Sequence, residues 1–303
     1  MRYLDAEQTR RLLPYSALAD SLRAVLADMQ VGKAHAPVRT SMPLPGGSGD
    51  AVLLLMPAHD ERLAITKLVT VHPGNTERGL PVVQGDVLVM DAATGERLAL
   101  LDGTVVTARR TAPLSLLAAR LLAPEPKGPL LVVGSGTQAR SHIEALREGL
   151  GVERVYITSK DPAHAEALAR HGRELGLDAH AVSTPGEVLS QVSLIVTATT
   201  STRPVLPPYV RDDAFIAAVG AYTPSMAELP PELVRRSRLF ADTLEGAQAE
   251  AGDFIQAGVD WSKVTPLEQA LDMERPESGP IIFKSVGHAL WDLAAARLAV
   301  GAL

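Results

Sequence analysis

The sequence predicts an α/β protein in which a doubly wound parallel-sheet domain accompanies an α+β domain. Three observations predict it. An apolar run from Leu130 to Val133 feeds a glycine turn, GSGTQA, that opens directly into a helical pattern. From 130 to about 285, short apolar runs alternate with helical segments, as in a parallel sheet covered on both faces. From 1 to about 112, a helical start gives way to strand-like runs, as in an antiparallel sheet with a helix. At 303 residues and 46% hydrophobic content, the chain can build two domains, each with its own core. The boundaries read as 1–113 with 286–303 for the first and 114–285 for the second.

The elements follow in order. Asp5 with Gln8 three residues later is a capping box for an opening helix. That segment lacks the apolar core of about 7–15 residues that marks a signal peptide. No run approaches the roughly 20 apolar residues that cross a bilayer, so a cytoplasmic protein without a membrane partner is expected. Strands are predicted at 51–56, 64–71, 83–91 and 97–102, with GGSGD at 46–50 as a loop and DAATG at 91–95 joining the last two strands as a hairpin. TAPLSLLAARLLA reads as a helix that ends before the proline-bearing linker PEPKGP at 124–129, which puts Arg110 at the helix start. In the second half, strands are predicted at 130–133, 154–158, 192–198, 214–219 and 238–241. The closing SVGHALWDLAAARLAVGAL is a helix more apolar than one face requires, and it is expected to return to the first domain. Glu250, Asp253 and Asp292 read as acids placed at helix ends.

Composition excludes several classes. The net charge of −6, without any basic stripe, argues against a nucleic-acid partner. With no cysteine there is no disulfide, zinc ribbon, thiolate nucleophile or iron–sulfur cluster. The eight histidines show no zinc spacing, and His164 and His171, two turns apart, suit exposed positions, so no metal is expected.

The chemistry concentrates in two groups of residues. In the GxGxxA turn, Gly134 permits the tight bend, Gly136 lets backbone amides approach a pyrophosphate and Ala139 packs close to the strand. Gly134, Ser135, Gly136, Thr137 and Gln138 therefore line a dinucleotide at a helix N-terminus. About 20 residues on, where an acid would select NAD, the chain reads Thr158, Ser159, Lys160. Ser159 and Lys160 suit a ribose 2′-phosphate, so NADPH is expected, with NADH possible; the alternative is a solvated loop lysine in a domain that binds another nucleotide or none. Thr197 and Thr199 end a strand at the carboxyl edge, where they either touch the cofactor or cap the next turn. In the first half, Arg39, Lys67 and Arg110 stand amid apolar or turn residues. Lys67 lies within an apolar strand and needs a partner. That partner is either a substrate carboxylate, which Arg110 can also grip, or an internal Asp or Glu. For Arg39 the alternative is a surface residue, and Arg109 reads as one.

The order KLVTVHPGN, GLPVVQGDVLVMDAATGERLALLDG, TARRTAPLSLLAARLLA, GSGTQA and FKSVGHALWDLAAA resembles the ornithine cyclodeaminase/mu-crystallin family over nearly the whole chain. The resemblance implies a first domain that forms a homodimer through its sheet, a Rossmann domain, and an active site in the cleft between them. It implies that Arg39, Lys67 and Arg110 hold a substrate carboxylate, with Lys67 as the catalytic residue, and that Ser285, Val286 and Gly287 lie near the nicotinamide. Cyclodeaminases of the family resemble one another in an Asp within VGGDCPGKTEL and a Glu before the LMP turn; this chain has Tyr222 and Leu54 there. Its GAYTPSMAEL is similar to the family's cyclic ketimine reductases. The implied partner is a small cyclic imino acid, Δ1-pyrroline-2-carboxylate or Δ1-piperideine-2-carboxylate, reduced with NADPH. The alternatives are ornithine cyclodeamination, alanine-dehydrogenase-like amination and a crystallin-like NADPH-binding protein without turnover.

Overall fold

The computed structural model describes residues 1–45 and 51–302, with Thr76 described by its backbone alone. The loop expected at 46–50 lies outside the described residues. The chain divides into two compact units, residues 1–110 with 288–303, and residues 111–287.

The first unit opens with β1 (Arg2–Leu4), α1 (Ala6–Arg11) and α2 (Tyr15–Gln30). Asp5 caps α1 in the expected box, its carboxylate accepting from Gln8 N–H at 2.8 Å. Next come β2 (Thr40–Pro43), β3 (Val52–His59), β4 (Leu63–Val71), β5 (Val83–Asp91) and β6 (Arg97–Asp102). They form a sheet in the order β1-β6-β5-β4-β3-β2, antiparallel except for the β1–β6 pair. The β5–β6 hairpin closes through Asp91 as expected, its N–H donating to Glu96 O at 2.9 Å.

Alternation sets the faces of this sheet. Leu63, Ile65, Lys67 and Val69 of β4 are buried while Leu68 is exposed, as the two-residue side-chain period requires. The closing helix does return to this unit: it lies against α2 and against β3 and β4. There Ser21 Oγ donates to Ala294 O at 2.8 Å, and Arg297 pairs with Asp28 and Asp60, each at 2.6 Å. Its apolar residues are buried nearly all round, and Leu290 and Leu293 each contribute about 1.5–3 kcal/mol as they leave water.

A helix, α3 (Gly103–Leu122), runs from the first unit into the second. It starts earlier than its sequence suggests, because Asp102 accepts from Val105 N–H at 2.8 Å, and burial of Val105 and Val106 overrides their β-branched preference. Arg110 therefore sits within the helix and not at its start.

The second unit runs β7 (Leu130–Val133), α4 (Thr137–Leu150), β8 (Arg154–Thr158), α5 (Pro162–Glu174), β9 (Asp178–Ala181), β10 (Leu194–Thr197), β11 (Phe215–Ala218), α6 (Pro231–Arg236), β12 (Arg238–Ala241), α7 (Leu244–Glu250), α8 (Gly252–Ala257), β13 (Val264–Pro266) and β14 (Ile281–Lys284). The last element of the chain, α9 (Ala289–Gly301), is the closing helix of the first unit. The eight strands form a wholly parallel sheet in the order β13-β12-β14-β11-β10-β7-β8-β9. β7, β10, β11 and β14 are buried along their whole length, as strands covered on both faces must be. From β7 the chain builds β8 and β9 to one side and then crosses to β10 on the other. The crevice where a doubly wound sheet binds ligands therefore falls at the carboxyl ends of β7 and β10. Among the described residues no helix is long and apolar enough to cross a membrane.

Candidate active site

In the first unit, the buried face of β4 carries Lys67, 1% exposed, into contact with two helices. Its Nζ lies 2.9 Å from each carboxylate oxygen of Asp292 on α9 and 3.4 Å from Thr107 Oγ1 on α3. One turn along α3, Arg110 points the same way, and its Nε lies 2.7 Å from Asp292 Oδ1. That contact lacks the alignment of a directed hydrogen bond, so it is an ion pair first. Two buried cations thus share one fully buried carboxylate.

Burial pushes the Lys67 ammonium down to about 8, and the Arg110 charge adds to this. Asp292 pulls the other way, and Arg39, half-buried just before β2, contributes a further lowering. At neutral pH the lysine remains mainly protonated, so the cluster carries surplus positive charge in a place where unpaired charge is costly. An anion that enters would relieve it. Of the two partners the sequence left open for Lys67, the internal acid is present; with two cations upon it, Asp292 does not neutralise the cluster.

Asp292 stands in the first turn of α9, as the sequence has it, and takes on a further role. The cap of α9 is His288, whose ring accepts from Leu290 N–H, and Asp292 turns inward to the cations. Arg109 is neither a surface residue nor part of the cluster. Its guanidinium lies 3.8 Å over the Tyr15 ring, and its Nε donates to Leu13 O. Leu54 is half-buried in β3, on the same face as Met56.

In the second unit, the GxGxxA turn has the form expected of it. Gly134 is buried at φ +122, and a Cβ there would lie 2.4 Å from Ala198 O, so glycine is required. Its N–H donates to Thr158 O at 2.8 Å, which ties the turn to the end of β8. Gly136 is the N-cap of α4 and supplies no capping side chain, while open space surrounds the place of its absent Cβ. The first amides of a 14-residue helix thus face outward beside exposed Thr137 and half-buried Gln138, an arrangement that fits a pyrophosphate. Ser135 Oγ and Ser159 Oγ lie 2.9 Å apart across the ends of β7 and β8, with exposed Lys160 next in sequence. Two hydroxyls and a cation thus gather at the carboxyl ends of adjacent strands.

The other residues expected near the cofactor are engaged within the protein itself. Thr197 is fully buried and gives its hydroxyl to Glu228 Oε2 at 2.9 Å, so its side chain cannot reach a ligand. Thr199 gives both N–H and hydroxyl to Glu228 Oε1, at 2.7 and 2.8 Å, and caps the next turn by accepting from Ser201 N–H. Ser285 Oγ, Val286 N–H and Gly287 N–H all donate to Asp242 Oδ2, at 2.8, 3.0 and 2.8 Å, so their donors are occupied.

Of the other acids, Glu250 and Asp253 stand at helix ends as the sequence has them, but Asp253 is engaged elsewhere. Asp253 caps no helix end: it is buried, accepts from Glu228 and Leu229 N–H and pairs with Lys284 at 2.8 Å. Glu250 ends α7, and the N-cap position of α8 is Ala251. Burial pushes the Glu228 carboxyl up, against the Lys284 charge and with the Asp253 charge. His164 is exposed as expected, but His171 is largely covered and lies 2.9 Å from Glu144. Tyr222 is exposed at the exit of β11. Among the described residues no group of three or more His, Cys, Asp or Glu is arranged to hold a metal ion.

Sequence reasoning missed Glu228, Asp242 and Lys284, and gave Asp253 and Asp292 only a place at a helix end. The available signal was their type: charged residues inside or next to apolar segments, the same signal that singled out Lys67.

The chain is similar to known proteins along its whole length. The Delta(1)-pyrroline-2-carboxylate reductase 1 of Burkholderia multivorans is 40% identical over 304 residues, covering 99% of this chain and 95% of that protein. The Delta(1)-pyrroline-2-carboxylate/Delta(1)-piperideine-2-carboxylate reductase of Azospirillum brasilense is 41% identical over 302 residues, with the same coverage. Among solved structures, the Thermococcus litoralis Delta(1)-pyrroline-2-carboxylate reductase in complex with NADH and L-proline superposes with a TM-score of 0.92 at 29% identity, covering 99% of this chain and 97% of that one. The model of the ornithine cyclodeaminase/mu-crystallin family matches residues 3–301, and the chain belongs to that family.

Proposed function

We propose that this chain reduces a cyclic ketimine acid, Δ1-pyrroline-2-carboxylate to L-proline, with NADPH as reductant. The observation that carries the reading is the buried cluster in which Lys67 and Arg110 share Asp292, a site short of one negative charge. When bound, the dinucleotide supplies the hydride that reaches the ring carbon bearing the carboxylate. Arg110 and Arg39 grip that carboxylate, which offsets the surplus charge. Lys67 keeps its proton at neutral pH and delivers it to the ring nitrogen, directly or through one water, because the C=N bond accepts hydride only as an iminium. Asp292 holds the ammonium from behind. One proton and one hydride convert C=N to CH–NH.

Unit two holds the dinucleotide on Gly134, Ser135, Gly136, Thr137 and Gln138, with Ser159 and Lys160 at the 2′-phosphate. Those two residues support NADPH over NADH, since they offer a hydroxyl and a cation in place of a carboxylate. Leu54 and Tyr222 stand where a diamine would need acids, which disfavours ornithine. One ring methylene is worth about 1–3 kcal/mol in an apolar pocket, so the six-membered Δ1-piperideine-2-carboxylate is also a substrate.

The chain works as a homodimer through the first unit's sheet. Beside exposed Leu68, the face away from α9 carries half-buried Leu53, Leu55, Leu88, Met90 and Leu100, an apolar surface of the kind that marks an interface. The test of activity is an assay of both ring imines with NADPH and NADH in parallel, with ornithine plus NAD and pyruvate plus ammonia as controls. Ring-imine reduction, fastest with NADPH, is the expected result. Turnover confined to either control would replace this reading.

A further inference from the structure

We propose that Glu228 is the positioning residue of the dinucleotide site: its buried carboxylate fixes the Ala198–Thr199 wall that faces the glycine turn. The inference rests on the dinucleotide reading above. It starts from the switch point of the sheet, where the carboxyl ends of β7 and β10 adjoin. There the Gly134 turn meets Ala198 and Thr199: a Cβ on Gly134 would lie 2.4 Å from Ala198 O and 3.5 Å from Thr199 Cγ2. Those two residues therefore pack directly against the glycine turn. Both lie beyond the end of β10 at Thr197, so the sheet ladder does not hold Thr199.

Glu228 does. Its Oε1 accepts the Thr199 N–H and hydroxyl, and its Oε2 accepts the Thr197 hydroxyl, Gly220 N–H at 2.8 Å and Ala221 N–H at 3.3 Å. One carboxylate thus joins the exit of β10 to the exit of β11. Gly220 is shaped for it, since a Cβ there would lie 2.4 Å from Glu228 Oε1 and 2.2 Å from Thr199 O. The backbone of Glu228 is fixed as well. Its N–H donates to Asp253 Oδ1 at 2.6 Å, its carbonyl accepts Val205 N–H at 2.8 Å, and Asp253 is anchored by Lys284 at the end of β14.

Glu228, Asp253 and Lys284 are each 1% exposed or less. A buried ionic group of this kind contributes little net stability compared with apolar packing, so its place at the carboxyl edge calls for another reason. With no exposed surface, Glu228 touches no ligand; it acts through Thr199.

Thr197 gives a clean test, because its buried hydroxyl can influence a ligand only through Glu228. NADPH Kd is measured by fluorescence titration on the full chain without imino acid, together with the melting temperature, for wild type, Thr197→Ser, Thr197→Val and Glu228→Gln. Thr197→Ser keeps the hydroxyl and is expected to bind within about twofold of wild type. Thr197→Val is expected to weaken binding about threefold or more, and Glu228→Gln about tenfold or more, in chains that remain folded. Lowered melting temperatures with unchanged Kd would make the role merely structural and overturn the inference. Should Glu228→Gln not fold, the Thr197 pair decides alone, and equal Kd values for its two variants overturn the inference. A wild-type chain that binds neither NADPH nor NADH overturns the functional reading and this inference together. Tight wild-type binding with unaffected variants overturns this one only.

Discussion

Lys67 must be charged to donate a proton, yet it sits where charge is costly, and the two demands separate with pH. As the ammonium loses its proton near pH 8, kcat/KM for the ring imine is expected to fall with rising pH. Stability responds with the opposite sign. The folded pKa lies below the ordinary 10.5, so between about 8 and 10.5 the unfolded chain binds more protons, and Lys67's contribution to stability rises with pH. Below 8 both states are protonated and the penalty is constant. Denaturant unfolding of wild type and Lys67→Met across this range checks the sign: their stability difference should shift in favour of wild type as pH rises, and an unchanged difference would contradict it. Asp292→Asn leaves two buried cations facing each other. It should cost about 3–5 kcal/mol of stability and move the alkaline limit of activity to lower pH, because the group that raises the Lys67 pKa is gone.

Among the elements, the strand–turn–helix of β7 and α4 has glycines at both ends with different duties. Gly134→Ala places a methyl against the Ala198 backbone at φ +122, so NADPH Kd is expected to rise about tenfold or more. Gly151, the left-handed C-cap of α4 at φ +73, opens onto empty space; Gly151→Ala should cost about 1 kcal/mol of stability and leave Kd unchanged. Titration and unfolding of both variants check the contrast. These elements were legible in the sequence because their signals are local: an apolar run, a fixed glycine spacing, and for β5 and β6 an alternation closed by DAATG. β1 and β2 were not, being three and four residues long and mostly exposed. β14 is central to its sheet, yet only four residues set it apart from the flanking polar segments. The start of α3 was hidden because its first turn carries β-branched Thr104, Val105 and Val106.

At the scale of the whole molecule, what the sequence concealed is long-range pairing. Lys67 was conspicuous within an apolar strand, but its acid lies 225 residues away on a helix where an early Asp looks like a dipole partner. Glu228 and Asp253 were hidden in the same way, since an acid near a helix end or in a loop reveals its burial only once the sheet has formed. Assembly belongs to this scale as well. Leu68→Arg puts a charge on the apolar face of the first unit's sheet and is expected to shift sedimentation from dimer to monomer, and a variant that remains dimeric would place the interface elsewhere. The most direct test of the account is the steady-state loss of reduced-nicotinamide absorbance with Δ1-pyrroline-2-carboxylate, measured for wild type and Lys67→Met alongside NADPH Kd. Steady turnover is expected in wild type, with a kcat about 10² or more lower in the variant and dinucleotide binding retained. Near-wild-type turnover in Lys67→Met, or no turnover in wild type, would contradict it.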